Sequence, residues 1–243
     1  MKKTLTKLLA YVSIATFVMI SCSEEKVGNN QLTGKEKEEG WVVLFDGKTT
    51  NGWHLYNKGK IPSAWIVQGD ELYCKPDTFD IAHGDLISDK EFKNFDLKFE
   101  WKISEAGNSG VFFNVVEKDS LPTAWSSGPE YQLLENTHPD YAMNPVKRAG
   151  CLYGFAPQKN AVTPLPAGQW NRSEIKQVDG KVEFYLNDTL TAQQDLNSAE
   201  WKAMIANSNF KFFPEFGKST KGHIALQDWS KGISFRNIKI KEL

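Results

Sequence analysis

Phe95-Asp96-Leu97-Lys98-Phe99-Glu100-Trp101-Lys102-Ile103 alternates without interruption, apolar at odd positions and charged at even ones. Successive strand side chains point to opposite faces, so this period of two describes a β-strand with one buried face. Working outward, Glu174 to Val178, the pair Asp179-Gly180 and Lys181 to Leu186 read as a hairpin, because Asp-Gly suits a two-residue turn with positive φ. Trp65 to Gln68, Gly69-Asp70 and Glu71 to Tyr73 read as a second hairpin. In the closing run, Ile233 and Phe235 are odd while Ile238 and Ile240 are even. One face holds all four only with an extra residue, which predicts a β-bulge near Arg236-Asn237. Only Asn197 to Ala206 reads as helix, with Ser198 as its cap. Short strands, frequent turns and one short helix predict an all-β antiparallel sandwich with long loops, Glu117 to Pro129 and Thr137 to Trp170. The second loop carries five prolines, and its aromatics Tyr141, Tyr153 and Phe155 imply that part of it packs.

The N-terminus sets the expected destination. Lys2, Lys3 and Lys7 precede an apolar run from Leu8 to Ile20, too short to span a bilayer and suited to a secretory leader. The run ends Met19-Ile20-Ser21-Cys22, which looks like a bacterial lipobox. Residues 1–21 are therefore expected to be a lipoprotein signal peptide. Cys22 is the expected lipidation site, opening a flexible tether over 22–40. Glu24 and Glu25 resemble an export signal of surface lipoproteins, which suggests the periplasmic or cell-surface face of the outer membrane. The domain is expected over 41–243, about 200 residues. Formal charge is −1, or about −4 without the leader lysines, and no basic patch points to nucleic acid. Cys74 and Cys151 fit a disulfide or two buried thiols equally well.

Several motifs, taken in order, resemble the 3-keto-disaccharide hydrolase domain family. They are Leu44-Phe45-Asp46-Gly47-Lys48 with Gly52-Trp53, Gly84-Asp85-Leu86-Ile87, Gly107-Asn108-Ser109-Gly110-Val111-Phe112 and Gly128-Pro129-Glu130-Tyr131-Gln132 running to Glu135-Asn136 with His138-Pro139. Ala149 to Gly154, Pro166 to Asn171 and Gly222 to Trp229 follow. The resemblance implies a concanavalin-like jelly roll acting on carbohydrates oxidised at C3. This sequence departs from the family in carrying Glu135 where Asp is usual and Trp229 where His is usual.

A 3-keto sugar has an acidic C2 proton. Removing it allows the C1 leaving group to depart by β-elimination, and hydration completes net hydrolysis. The expected catalytic residues are Glu130, His138 and Glu100. Glu130 and Gln132 share one strand face, Glu100 lies on the polar face of its own strand, and His138 is the most natural proton shuttle among these residues. Glu100 reads equally as part of a solvated strand face. Expected sugar contacts are Gln132, Glu135, Arg148, Tyr153, Trp125, Gln227, Asp228 and Trp229. Asp77, Asp80 and Asp85 beside His83 offer a candidate Ca²⁺ cluster, but they lack an EF-hand pattern, and a solvated acidic loop is the preferred reading. The implied partners are a 3-keto-glycoside or oligosaccharide, a lipid membrane through Cys22, and a sugar oxidoreductase that supplies the substrate. The competing readings are a non-catalytic carbohydrate-binding lipoprotein and an ordinary two-carboxylate glycosidase.

Overall fold

The alternation at Phe95–Ile103 becomes a nine-residue strand at the centre of a large sheet. The computed structural model describes residues 27–76, 79–229 and 231–243. The expected signal peptide, Cys22 and Asp77 lie outside the described residues. Among those described, thirteen strands run in chain order as β1 (Val42–Val43), β2 (Trp53–Leu55), β3 (Trp65–Gln68), β4 (Glu71–Cys74), β5 (Leu86–Phe92), β6 (Phe95–Ile103), β7 (Asn108–Val115), β8 (Glu130–Leu134), β9 (Asn171–Val178), β10 (Lys181–Leu186), β11 (Thr189–Asp195), β12 (Gly222–Leu226) and β13 (Ile233–Glu242). An eight-stranded sheet runs β11-β10-β9-β6-β13-β4-β3, with β1 added alongside β13. A five-stranded sheet runs β2-β5-β12-β7-β8. All pairings between these strands are antiparallel, and the two sheets stack as the expected sandwich.

Phe95, Leu97, Phe99, Trp101 and Ile103 are buried between the sheets with Val111, Phe113, Tyr131 and Leu133 of the smaller one. Phe99 meets Tyr131 edge-on, with ring centroids 5.7 Å apart. Each such side chain contributes roughly 1.5–3 kcal/mol by leaving water. The polar tips inside the core are satisfied. Ser173 Oγ accepts from Trp101 Nε1 at 2.9 Å and from Tyr131 Oη at 2.8 Å. Both expected hairpins form, with Gln68 opposite Glu71 and Val178 opposite Lys181. Asp179 and Gly180 have φ of 49° and 77°, as the tight turn requires. Cys74 and Cys151 are both buried and are not bonded to each other, so the disulfide alternative is set aside.

The closing strand carries its bulge between Arg236 and Lys239, and Asn237 adopts φ 51°. Before the bulge β13 pairs with β4, and after it with β1. The bulge also corrects the domain boundary. Asn30 N–H donates to Asn237 Oδ1 at 2.6 Å, and Asn237 N–H donates to Asn30 Oδ1 at 2.8 Å. Residues 34–38, expected to be tether, form helix α1 (Gly34–Glu38), capped by Thr33 and tied to β13 through Glu36 and Lys239 at 2.9 Å. The domain therefore starts before Trp41, because polar residues that bury no core still close the bulge. The expected single helix is α3 (Ala199–Ala206), capped by Ser198 as predicted. A third, α2 (Pro139–Met143), lies in the long loop. No helix among the described residues is long and apolar enough to cross a membrane.

Candidate functional site

Register assembles the site on the outer face of the smaller sheet. Ile87, Ala225, Phe112 and Glu130 lie abreast across β5, β12, β7 and β8. Tyr131 and Leu133 point into the core, so Glu130 and Gln132 point outward. Two residues along from that row, the same parity aligns Asp85, Gln227, Gly110 and Gln132. Gln227 N–H donates to the Gly110 carbonyl at 2.9 Å. The two long loops and the segment after α3 rise around this end. Their side chains enclose a cavity of about 880 Å³, within the range that holds a drug-sized ligand.

The cavity floor is polar, with Asn108, Glu130, Gln132 and Gln227. Gln132 Nε2 donates to Asn108 Oδ1 at 2.8 Å. The Oε1 atoms of Gln132 and Gln227 are buried without a hydrogen-bond partner among the described residues. A buried acceptor left unpaired costs about 1–3 kcal/mol, so both call for donors within the cavity. Among the described residues the only other buried side-chain acceptor in that state, Asp96 Oδ1, lies on the large sheet.

Among the described residues Glu130 is the sole carboxylate in the lining, and its carboxyl receives no hydrogen bond from any of them. Burial pushes its pKa well above the usual carboxylate range, and the nearby charge of Asp85 pushes further the same way. Gly110 makes the space, since a Cβ there would stand 2.1 Å from Glu130 Oε1. Asp85 is itself raised to about 7, by burial first and then by repulsion from Asp228, although it accepts from Asp228 N–H at 3.1 Å.

Residues 150–153 run beside β8. Gln132 N–H donates to the Cys151 carbonyl, and Tyr153 N–H donates to the Glu130 carbonyl at 3.0 Å. This places Tyr153 in the cavity wall with Lys147, whose Nζ stands 5.9 Å from the Tyr153 ring centre. Burial raises the Tyr153 phenol, while the Lys147 charge opposes the shift. Trp125, on a short 3₁₀ turn, meets Phe213 edge-on at 4.6 Å. Trp229 stands at the cavity with about half its surface exposed.

Six of the expected site residues thus share one cavity: Glu130, Gln132, Tyr153, Trp125, Gln227 and Trp229. The others lie elsewhere. Glu100 is on the outer face of the large sheet, paired with Arg236 Nε at 2.7 Å. His138 caps α2, its Nδ1 accepting from Asp140 N–H. Glu135 accepts from Ala106 N–H, Thr137 N–H and the Thr137 hydroxyl. Burial opposes ionisation of Glu135, but these bonds outweigh it and hold its carboxyl below the usual range. Arg148 Nε donates to the Tyr141 carbonyl at 2.9 Å. Asp228 turns away from the cavity to accept from His83 Nδ1, Gly84 N–H and Cys74 Sγ. The expected Ca²⁺ cluster is divided, because Asp80 is exposed while the Asp85 carboxyl accepts from Asp228 N–H. No three His, Cys, Asp or Glu side chains among the described residues converge as metal ligands.

Asn108, Lys147, Phe213 and the role of Asp85 were missed. Asp85 shares the parity of Ile87, and Asn108 that of Phe112, so a count by twos from the outward residues would have reached both. Lys147 and Phe213 come from loops and give no periodic signal.

Residues 40–241 match the model of the 3-keto-alpha-glucoside-1,2-lyase-like domain. A 3-keto-disaccharide hydrolase of Bacteroides thetaiotaomicron is 34% identical over 232 residues, covering 84% of this chain and 79% of that one. The crystal structure of a putative glycosyl hydrolase from Parabacteroides distasonis is similar at TM-score 0.82 and 31% identity, covering 89% of this chain and all of that one. A second putative glycosyl hydrolase from the same organism, at TM-score 0.65 and 22% identity, shares the fold over 84% of this chain and 99% of its own.

Proposed function

Because this chain belongs to the 3-keto-alpha-glucoside-1,2-lyase-like domain family, we propose that it is a carbohydrate hydrolase that cleaves 3-keto-glycosides at Glu130 by elimination and hydration. One observation carries the reading. Glu130 is a buried carboxyl with a raised pKa and no hydrogen-bond donor, alone of its kind in a sugar-sized cavity. A base of that description suits a carbon acid of modest acidity, and a positioned base contributes about 10²- to 10⁴-fold.

Glu130 takes the C2 proton, and the C2–H electron pair forms the enolate across C2, C3 and the ketone oxygen. The Tyr153 hydroxyl beside Lys147 donates to that oxygen. Re-forming the ketone drives the pair into a C1–C2 double bond and expels the C1 substituent, whose oxygen takes the proton from Glu130. Water then adds to the enone, with hydroxyl at C1 and hydrogen at C2, to give the free 3-keto sugar. Gln132 and Gln227 accept from sugar hydroxyls at their unpaired Oε1 atoms. The proton need not visit a histidine, which accommodates Trp229 as a stacking surface at the rim. The substrate requires an oxidoreductase that converts a glycoside C3 hydroxyl to a ketone.

The test is to incubate a 3-keto-disaccharide, deuterated at C2, with the protein. Release of sugar with loss of deuterium to solvent is expected, and Glu130→Gln should abolish both. Cleavage with C2 deuterium retained would exclude the elimination route. Binding without cleavage would instead favour the carbohydrate-binding reading. We also propose that the chain is exported and anchored through Cys22, on the strength of the lysines, the apolar run and the Ser21-Cys22 junction. Incorporation of a labelled fatty acid by the wild type and none by Cys22→Ala is the expected result.

A further inference from the structure

We propose that the leaving-group half of this cavity takes a flat, mainly apolar ring system, so that the preferred substrate is a 3-keto-glycoside of an aromatic alcohol or phenol rather than of a second sugar. The inference rests on the function proposed above and specifies its substrate.

The lining divides by chemistry. Every polar group of the floor comes from the sheet or its immediate ends, and two of its acceptors are unpaired. The rest of the lining, from the 3₁₀ turn at Trp125, the long loop at Phe155 and the chain after α3, presents rings. Trp125 and Phe213 meet edge-on at 4.6 Å. Phe155 and Phe210 stack at 5.4 Å, and Phe210 is backed by Phe216 at 4.0 Å, an arrangement that fixes the rings. Two polar side chains on this wall bond to the backbone, and a third, Asn209, is exposed to solvent. Asn207 Nδ2 donates to the Ala203 carbonyl at 3.0 Å. Ser208 Oγ donates to the Ile205 carbonyl and accepts from Phe210 N–H. Lys147 is held by Asp140 at 2.9 Å. A second sugar set against this wall would bury hydroxyls with few partners, whereas an aromatic aglycone would meet rings edge-on or stacked, the geometries that rings favour. The glycone then lies where the unpaired amide oxygens and Glu130 are, and the aglycone lies against the rings.

The experiment measures binding to the Glu130→Gln protein by calorimetry, using a 4-methylumbelliferyl 3-keto-glucoside and a 3-keto-disaccharide of the same anomeric configuration. The expected result is an aryl ketoside Kd lower by roughly tenfold or more. Phe213→Ala in the same background should cost the aryl ketoside about tenfold more affinity than it costs the disaccharide, with Phe213→Leu in between. Equal affinities, or a disaccharide bound more tightly, would overturn the proposal. If Phe213→Ala fails to fold, the two wild-type-wall affinities decide alone. Failure of the Glu130-containing protein to cleave either ketoside would defeat the elimination reading, and the ratio of affinities would still decide the wall.

Discussion

Glu130 owes its chemistry to an absent side chain. Gly110, abreast of Gln132 on the neighbouring strand, leaves the space into which the Glu130 carboxyl folds. Gly110→Ala should therefore keep the sheet but displace the carboxyl, lowering kcat by about 10²-fold or more. Turnover of a 3-keto-disaccharide, with circular dichroism as the control for folding, checks this. Asp85 adjusts the same group from a distance. Its carboxyl keeps its proton to about pH 7 in the folded chain, against an ordinary 3.8. Between those values the folded state binds more protons than the unfolded state, so stability falls as pH rises through the window. Asp85→Asn should lessen that decline, measured as Tm at pH 5 and pH 8, with the share due to the raised Glu130 carboxyl remaining. It should also move the acid limb of the kcat/KM profile to lower pH, because the charge that raises Glu130 is gone. An unmoved acid limb would show that Asp85 does not tune the base.

At the scale of the element, β13 shows what periodicity reveals and what it misses. The parity change between Phe235 and Ile238 located the bulge, because a buried face leaves a period-two record in the sequence. The register of both hairpins was legible for the same reason, with turn chemistry fixing the connection. Residues 29–40 left no such record. Asn29, Asn30 and Glu36 hold the domain through polar bonds to Asp70, Asn237 and Lys239, partners far away in sequence. A polar segment without apolar spacing reads as tether whether or not those bonds form. Their contribution is measurable. Asn30→Ala removes the acceptor of Asn237 N–H and the donor to the Asp70 carbonyl, leaving both backbone groups unpaired, which should cost about 1–3 kcal/mol in urea denaturation. Catalysis at the other sheet should be unaffected. Asn237→Ala should cost a similar amount, since both substitutions hold alanine at positive φ, 58° at residue 30 and 51° at residue 237.

The whole molecule separates two carboxylates that the sequence brings together. Glu100 and Glu130 both occupy outward positions on strands, and from the sequence alone two outward faces can be one. They are the outer faces of different sheets, with the Phe99 and Tyr131 rings packed between. Alternation tells in from out but does not tell which layer a strand joins, since that depends on pairing between distant segments. This is why Glu130, Gln132 and Gln227 were legible as site residues while Glu100 was misplaced. The same separation tells against a two-carboxylate glycosidase, whose acid and base must flank one bond at about 5–9.5 Å. Glu100 is instead spent on Arg236, whose guanidinium lies 4.0 Å from the centre of the Trp170 ring. Glu100→Gln keeps a hydrogen-bonding oxygen for that guanidinium, and both partners are partly exposed, so the loss in stability should be about 1 kcal/mol or less. Its kcat/KM on a 3-keto-disaccharide should stay within about twofold of wild type, while Glu130→Gln loses about 10²-fold or more. A comparable fall in both variants would mean that the two outer faces act on one substrate, which this sandwich does not allow.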